Sequence, residues 1–221
     1  MVVVLGKIAL KRMVIILDGP PASRKTTLAS RIIRKIGGCV VHYKGFGPAN
    51  LIAKLILKIN PCLIPPMYDE RRGDPFLFLS TRYWSKLHIV IMLLECLYKI
   101  MQQITIALLI LLKRVVVIDE YLVLRLANYI NALKHNIIDL RDLSIVYQLD
   151  ISLLEAIKRM AQVKYVYIEP RTKILLENWK KRGHKVPYDM NFLAIVKRSF
   201  KVVRKCVTKM DKDKISLIII S

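Results

Sequence analysis

The stretch Leu17-Asp18-Gly19-Pro20-Pro21-Ala22-Ser23-Arg24-Lys25-Thr26-Thr27 decides the fold. It follows the apolar run Met13-Val14-Ile15-Ile16 and leads into Leu28-Ala29-Ser30-Arg31-Ile32-Ile33. Strand, loop and helix in that order bring backbone N–H groups and a helix N-terminus to one point, which suits a phosphate. The motif for such a loop is G-x-x-x-x-G-K-[ST]. Gly19, Lys25 and Thr26 occupy its positions, and Arg24 stands where the second glycine belongs. A glycine there lets the backbone come close to the phosphates, whereas arginine adds a Cβ and a long side chain. Arg24 either swings out and lends a second positive charge or obstructs the site. Gly19, Pro20, Pro21, Ala22, Ser23, Arg24, Lys25, Thr26 and Thr27 are therefore expected to wrap the phosphates of ATP. Lys25 would reach the β and γ phosphates, Thr26 would ligate Mg2+, and Thr27 would face the α-phosphate or the core.

Outward from this loop, strand and helix patterns alternate. Residues 13–17 read as the first strand and roughly 25–36 as a helix, which Gly37-Gly38 ends. Cys39-Val40-Val41-His42-Tyr43 reads as a second strand, and Asn50 is placed to cap a helix that Asn60-Pro61 stops. Residues 61–75 hold several prolines and cluster Asp69, Glu70, Arg71, Arg72 and Asp74. They form either a solvated connection or a mobile flap over substrate. From Phe76 to Leu112 the pattern is helical and strongly apolar. Glu95, Lys99, Gln102 and Gln103 interrupt it near the middle. It reads as a buried core helix and not as a membrane span, because a charge at mid-bilayer costs about 2.5–3.5 kcal/mol.

Arg114-Val115-Val116-Val117-Ile118-Asp119-Glu120-Tyr121 is a buried strand ending in acids. Residues 122–135 are helical, a further helical region starts at Asp139, and Ser152 is expected to cap a helix over 153–161. Residues 163–168 form a strand, 172–181 and 191–205 helices, and 215–220 a closing strand. Strands alternating with helices imply a parallel sheet covered on both faces.

At 221 residues and 25.6 kDa, one α/β domain over residues 13–221 is expected, with residues 1–12 as an appendage and Met13 as an alternative start. The apolar residues are mostly Ile, Leu and Val, as a buried parallel sheet requires. Lys and Arg number 38 against 16 Asp and Glu, a formal charge of +22. So basic a chain expects an anionic partner, unless the excess is a compositional habit. Lys and Arg are evenly spread, with no arginine cluster interleaved with aromatics, so nucleotide ranks above nucleic acid. Cys39, Cys62, Cys96 and Cys206 form no C-x-x-C pair and read as core residues of a reduced, cytoplasmic protein.

Asp119 closes a pure apolar strand. A carboxylate at such a strand end can hold Mg2+ through water or act on an acceptor, and Glu120 beside it could orient a nucleophile. A polar strand end with no role is the plain alternative. Late in the chain, Trp179-Lys180-Lys181-Arg182-Gly183-His184-Lys185 follows a strand and a helix. It is either a basic lid over the transferring phosphoryl group or a solvated helix end favoured by the dipole.

These elements, in this order, resemble the thymidylate kinase family of P-loop nucleoside monophosphate kinases over about residues 13–205. Phe78-Leu79-Ser80-Thr81-Arg82 is similar to the family's base-binding segment, in which Phe78 would stack on the base and Arg82 hydrogen-bond its edge. Asp119-Glu120-Tyr121 is similar to the family's Asp-Arg-Tyr, so Glu120 and Tyr121 fall among the substrate-binding positions. Leu176 to Gly183 resembles the lid signature, which puts the lid at about 179–190. The resemblance implies a P-loop three-layer α/β/α sandwich with a central parallel sheet and a helical lid. It implies ATP and Mg2+ as cofactors, a nucleotide substrate, and a homodimer through the long apolar helix.

The expected activity is transfer of the γ-phosphate of ATP to dTMP or a related pyrimidine nucleotide. Lys25, Arg24, Arg182 and Asp119 would be the catalytic residues, with Lys181 and Lys185 beside Arg182 on the lid. Thr26 and Asp119 would hold the metal. The chain departs from the family at three further points. Pro21 replaces the loop acid, Glu120 replaces an acceptor-phosphate arginine, and a second such arginine falls near Pro48, with Lys44 the closest cation. A (deoxy)nucleoside kinase, a catalytically impaired nucleotide-binding protein and a nucleic-acid-stimulated ATPase are the alternatives.

Overall fold

The computed structural model describes residues 12–42, 51–52, 54–55, 58–59, 81–134, 138–181, 190–210 and 213–220. Phe78, Arg182, Lys185, Lys44, Cys62, the proline-rich stretch 61–75 and lid residues 182–189 lie outside the described residues. The same holds for the side chain of Arg82 and for residues 1–11 of the appendage.

Five strands form one sheet: β1 (Met13–Asp18), β2 (Cys39–His42), β3 (Val115–Asp119), β4 (Gln162–Ile168) and β5 (Ile215–Ile220). Their order is β2-β3-β1-β4-β5 and every pairing is parallel. Among the described residues, six helices connect and cover them: α1 (Lys25–Ile36), α2 (Thr81–Leu112), α3 (Leu122–Lys134), α4 (Leu140–Met160), α5 (Thr172–Lys181) and α6 (Met190–Lys209). The central strands β1 and β3 are apolar on both sides because both faces are covered there, whereas Ile218 and Ile219 of the edge strand β5 are exposed. Val14, Ile16, Val116, Ile118, Val163 and Tyr165 face one way, into a core shared with α2, α3, α4 and α6. Ile15, Leu17, Val117 and Val166 face the other way, against Ala29, Leu28 and Ile32 of α1.

The ends of the elements follow from local chemistry. Helix α1 stops where Gly37 takes φ 74° and its N–H returns to Ile33 O at 2.8 Å. Helix α4 starts at a capping box: Asp139 accepts from the N–H of Asp142, and the Asp142 carboxylate accepts from the N–H of Asp139. That box corrects one expectation. Ser152 caps nothing; the residues from 140 to 160 form a single helix through it. Asp142 at the third helical position supplies the start signal, and no glycine or proline follows to break the run.

Helix α2 corrects a second. It is not buried all round. It buries Met92, Glu95, Lys99, Gln103, Ile106 and Ile110, and it exposes Leu93, Leu97, Ile104, Leu108 and Leu111. The window Met92–Leu112 is long and apolar enough to cross a membrane by length and composition, with 28% of it buried. Its polar residues point inward because α3 and α4 offer them charged partners. Lys99 donates to Asp150 at 2.6 Å, and Gln102 accepts from Arg125 at 2.9 Å. Cys39, Cys96 and Cys206 are free and half-buried, not core residues in full.

Candidate phosphate-binding site

The loop between β1 and α1 leaves the carboxyl edge of the sheet, flanked by the ends of β3 and β4. Gly19 has φ 145°, and a Cβ there would lie 2.5 Å from the carbonyl oxygen of Ile168. The end of β4 therefore demands glycine at this position. Ser23 N–H bonds back to Pro20 O at 3.3 Å, tightening the turn. Lys25 is only 3% exposed, and its ammonium donates to Gly19 O at 3.0 Å and Pro20 O at 2.9 Å. Its third contact is the Glu120 carboxylate at 3.3 Å. An ammonium has three donors, so Lys25 is fully engaged by the loop and by one acid.

Arg24 has φ 66° and ψ 22°, the left-handed conformation that glycine adopts without strain. In an L-residue it costs roughly 1–2 kcal/mol. The motif's second glycine is thus a backbone requirement here, and the chain meets it with arginine. Arg24 sits at the N-cap of α1 with no side-chain cap bond, and its side chain is exposed. It has swung out of the loop instead of filling it.

At the end of β3, Asp119 is 2% exposed and its Oδ2 accepts from the Thr26 hydroxyl at 2.7 Å. His42 Nδ1, at the end of β2, lies 3.2 Å from the same oxygen, with the imidazole 56% exposed. Parallel register puts His42 beside Asp119 and Asp119 beside Leu17, so three strand ends converge here. Asp119 Oδ1 is buried with no hydrogen-bond partner among the described residues. A buried carboxylate oxygen without a partner is costly unless something binds it. Glu120 has φ 67°, its N–H donates to Leu17 O at 2.9 Å, and its side chain is 37% exposed. Burial raises its carboxyl pKa above the ordinary value; Lys25 opposes the shift and Asp119 adds to it.

Behind these groups stands a support that the sequence does not announce. Asp18 is fully buried and accepts three hydrogen bonds: from Gly19 N–H at 2.9 Å, Val123 N–H at 2.7 Å and the Tyr165 hydroxyl at 2.6 Å. It ties the loop to the N-terminus of α3 and to β4, where its charge meets the positive end of the helix. Burial raises its pKa, and the bonds from Tyr165 and Val123 oppose that. Trp179 Nε1 donates to Pro21 O at 2.8 Å and Asn178 Nδ2 to Ala22 O at 3.3 Å. Leu175 and Trp179 of α5, Leu193 of α6 and Ala22 form a small apolar cluster under the loop.

The structure thus brings together Gly19, Lys25, Thr26, Asp119 and Glu120. Tyr121 is buried in the core behind them, with its ring 5.2 Å from the Arg125 guanidinium carbon. Thr27 is exposed and faces away from the core. His42, Asp18 and Trp179 went unrecognised from sequence: His42 read as a strand residue, Asp18 as part of the loop, and Trp179 as the start of a lid. An Asp directly before the loop glycine was the one available signal.

For a magnesium ion, the Thr26 hydroxyl and the Asp119 carboxylate offer two oxygens, and Asp119 Oδ1 lacks any other partner. Mg2+ in such sites takes one or two protein oxygens and fills its octahedron with water and phosphate. The residues fit it. No group of three His, Cys, Asp or Glu with metal-binding geometry occurs among the described residues.

The sequence matches no protein-family model and no curated protein. Solved structures do share its architecture. Deoxyadenosine kinase from M. mycoides with bound dCTP superposes with a TM-score of 0.50 at 13% identity, over 94% of this chain and 90% of that one. The chain shares the parallel α/β fold of that structure. The same enzyme with bound dATP gives 0.49 at 14% identity, over 94% and 91% of the two chains. Thymidylate kinase from Candida albicans gives 0.46 at 13%, over 95% and 84%.

Proposed function

We propose that this chain is an ATP-dependent phosphotransferase of the nucleotide-kinase kind, with the β1–α1 loop as its donor site. The single observation that carries this reading is the arrangement at Lys25. A buried ammonium lies over a glycine turn, one residue before a threonine hydroxyl bonded to a carboxylate with an unpartnered oxygen. In such enzymes catalysis is mostly positioning and charge stabilisation. Lys25 would exchange its loop carbonyls and Glu120 for the β and γ phosphates. The backbone N–H groups from Ala22 to Lys25 would carry the remaining charge, Pro20 and Pro21 having none to offer. Arg24, already turned outward, would approach the γ-phosphate from solvent, with Arg182, Lys181 and Lys185 closing from the lid. Thr26 and Asp119 would hold Mg2+, which supplies charge neutralisation across the β and γ phosphates when bound.

The motif resemblance assigns dTMP or a related pyrimidine nucleotide as acceptor, with Phe78 and Arg82 on the base. One observation favours a second reading. Glu120 places a carboxylate 3.3 Å from Lys25, beside Asp119, at the position where the resembled family binds an acceptor phosphate. A carboxylate repels a monophosphate and suits a hydroxyl, so a nucleoside is the competing acceptor. Phosphate transfer from ATP to dTMP and to thymidine, measured side by side, separates the two. Transfer to thymidine alone overturns the nucleotide acceptor. Calorimetry with ATP and Mg2+ tests the donor site itself: no binding overturns both, and binding without transfer to any acceptor leaves a nucleotide-binding protein.

The same reading includes a cytoplasmic homodimer joined through α2. Its exposed residues Leu93, Leu97, Ile100, Ile104 and Leu111, with half-buried Ala107 between the last two, follow spacings of four and three, the seam that packs against another helix. Ile104→Glu should convert a dimer to a monomer in sedimentation; a wild-type monomer overturns this part.

A further inference from the structure

At the amino edge of the sheet, opposite Lys25, residues distant in sequence meet. Arg114 precedes β3, Arg12 precedes β1 and Lys214 precedes β5. The backbone holds them in a row: Met13 N–H donates to Arg114 O at 2.9 Å, Gln162 N–H to Arg12 O at 2.9 Å, and Val163 N–H to Lys214 O at 2.8 Å. Neighbouring strands lie about 4.8 Å apart, so the row crosses four strands within about 15 Å. Helix α4 ends at this edge and adds Lys158 and Arg159 from its last turn. A cavity of about 240 Å3 opens there, lined by Arg12, Lys158, Arg159 and Lys214, with Asp213 also on its wall.

Part of this basicity has a local cause. Helix C-termini favour cations, which accounts for Lys158 and Arg159. It does not account for Arg12, Arg114 and Lys214, which precede strands. Lys158 pairs with Glu155 at 2.7 Å, while Arg12, Arg159 and Lys214 have no carboxylate partner among the described residues. Like charges gathered around one cavity repel each other, and a bound anion offsets that repulsion. Two guanidiniums and an ammonium converging from three segments suit the several acceptor oxygens of a phosphate. No aromatic side chain lines the cavity among the described residues, so nothing there stacks a base.

We propose that this cavity is a second anion site, separate from the Lys25 loop, which takes the phosphate groups of a phosphate chain. The chain is either a free oligophosphate or the backbone of a nucleic acid strand. The test uses the full-length protein carrying Lys25→Met, which silences the loop, with tripolyphosphate and a twelve-residue oligothymidylate as probes in calorimetry. At least one probe should still bind, more weakly as salt rises. Adding Arg159→Glu and Lys214→Glu should then lower affinity about tenfold or more. The same charge change at Lys197 and Arg198, exposed on α6, should cost less than about threefold. Tighter tripolyphosphate makes the ligand a free oligophosphate; tighter oligothymidylate makes it a strand. If the reversal pair does not fold, Lys214→Gln alone should reduce the salt slope by about one. Equal losses from the two reversal pairs, or no binding of either probe, would overturn the site.

Discussion

Lys25 and Lys99 are both buried, at 3% and 0% exposure, and each ammonium contacts a carboxylate. Their surroundings differ. Lys99 sits in a closed set between α2, α3 and α4: it donates to one oxygen of Asp150 at 2.6 Å, and Arg125 donates to the other at 2.6 Å. Arg125 continues to Gln102 at 2.9 Å, and Lys99 also lies 4.7 Å from the centre of the Tyr129 ring. Around Lys25 the backbone is strained. Ala22, Arg24 and Glu120 are the non-glycine residues with positive φ among those described, and all three flank this lysine. Asp119 beside it keeps an oxygen without a partner. A buried charge therefore does not mark a functional site by itself. Strain gathered around it does, because a fold keeps strain only where something else is gained; an unmet acceptor does not separate the two sites, since Gln103 Oε1, one turn from Lys99, is also buried without a hydrogen-bond partner among the described residues.

Five measurements break or sharpen that contrast, from the largest effect down. Asp150→Ala leaves two buried cations facing each other and should lower the unfolding free energy by about 3–5 kcal/mol in urea titration. A loss under about 1 kcal/mol would mean that the set is open to water. Lys25→Met should leave the urea midpoint near wild type while phosphate transfer falls about 10²–10³-fold. A large stability loss with unchanged transfer would make Lys25 a second structural lysine.

The third measurement is pH dependence. Burial lowers the Lys99 pKa to about 8, with Asp150 opposing and Arg125 adding to the shift, from an ordinary 10.5. The unfolded chain keeps that proton until 10.5, so between pH 8 and 10.5 unfolding takes up a proton and rising pH stabilises the fold. The gain is at most about 1.4 kcal/mol per pH unit. Urea midpoints should climb from about pH 8 to about pH 9.5, and Lys99→Met should flatten the climb. A flat wild-type profile would show Lys99 with an ordinary titration.

The fourth is Glu120→Gln. It removes the charge that engages Lys25 and should tighten ATP binding about fivefold in calorimetry. Weaker binding would show that Glu120 serves the donor and does not compete with it. The smallest effect is at Arg24. Arg24→Gly relieves the left-handed strain and should stabilise the fold by about 1 kcal/mol. If phosphate transfer drops in the same variant, the arginine side chain takes part in the reaction.

Much of the fold was legible beforehand because it rests on local patterns. The run from Met13 to Thr27 shows strand, turn and helix in sequence, and the apolar runs at 115–118 and 215–220 read directly as buried strands. Helix α1 runs from 25 to 36 as its glycine stop predicts. Where the reading failed, the deciding partner was distant. Ser152 offered a capping residue, but the box at Asp139 and Asp142 had already started the helix that runs through it. The residues of α2 looked like a core helix because composition cannot say which face meets a neighbour. Asp150 and Arg125 turned the polar stripe inward and left leucines outside.

The sequence by itself determined the order and type of the elements and the loop that begins at Gly19. Periodicity, glycine and the Lys25-Thr26 pair are short-range signals. Only the tertiary structure decided the strand order, the left-handed turn at Arg24, the meeting of Thr26, His42 and Asp119, and the grip of Trp179 on Pro21. Those features depend on which strand ends lie side by side. Parallel pairing brings together residues about a hundred positions apart, and nothing in the local chain records that choice.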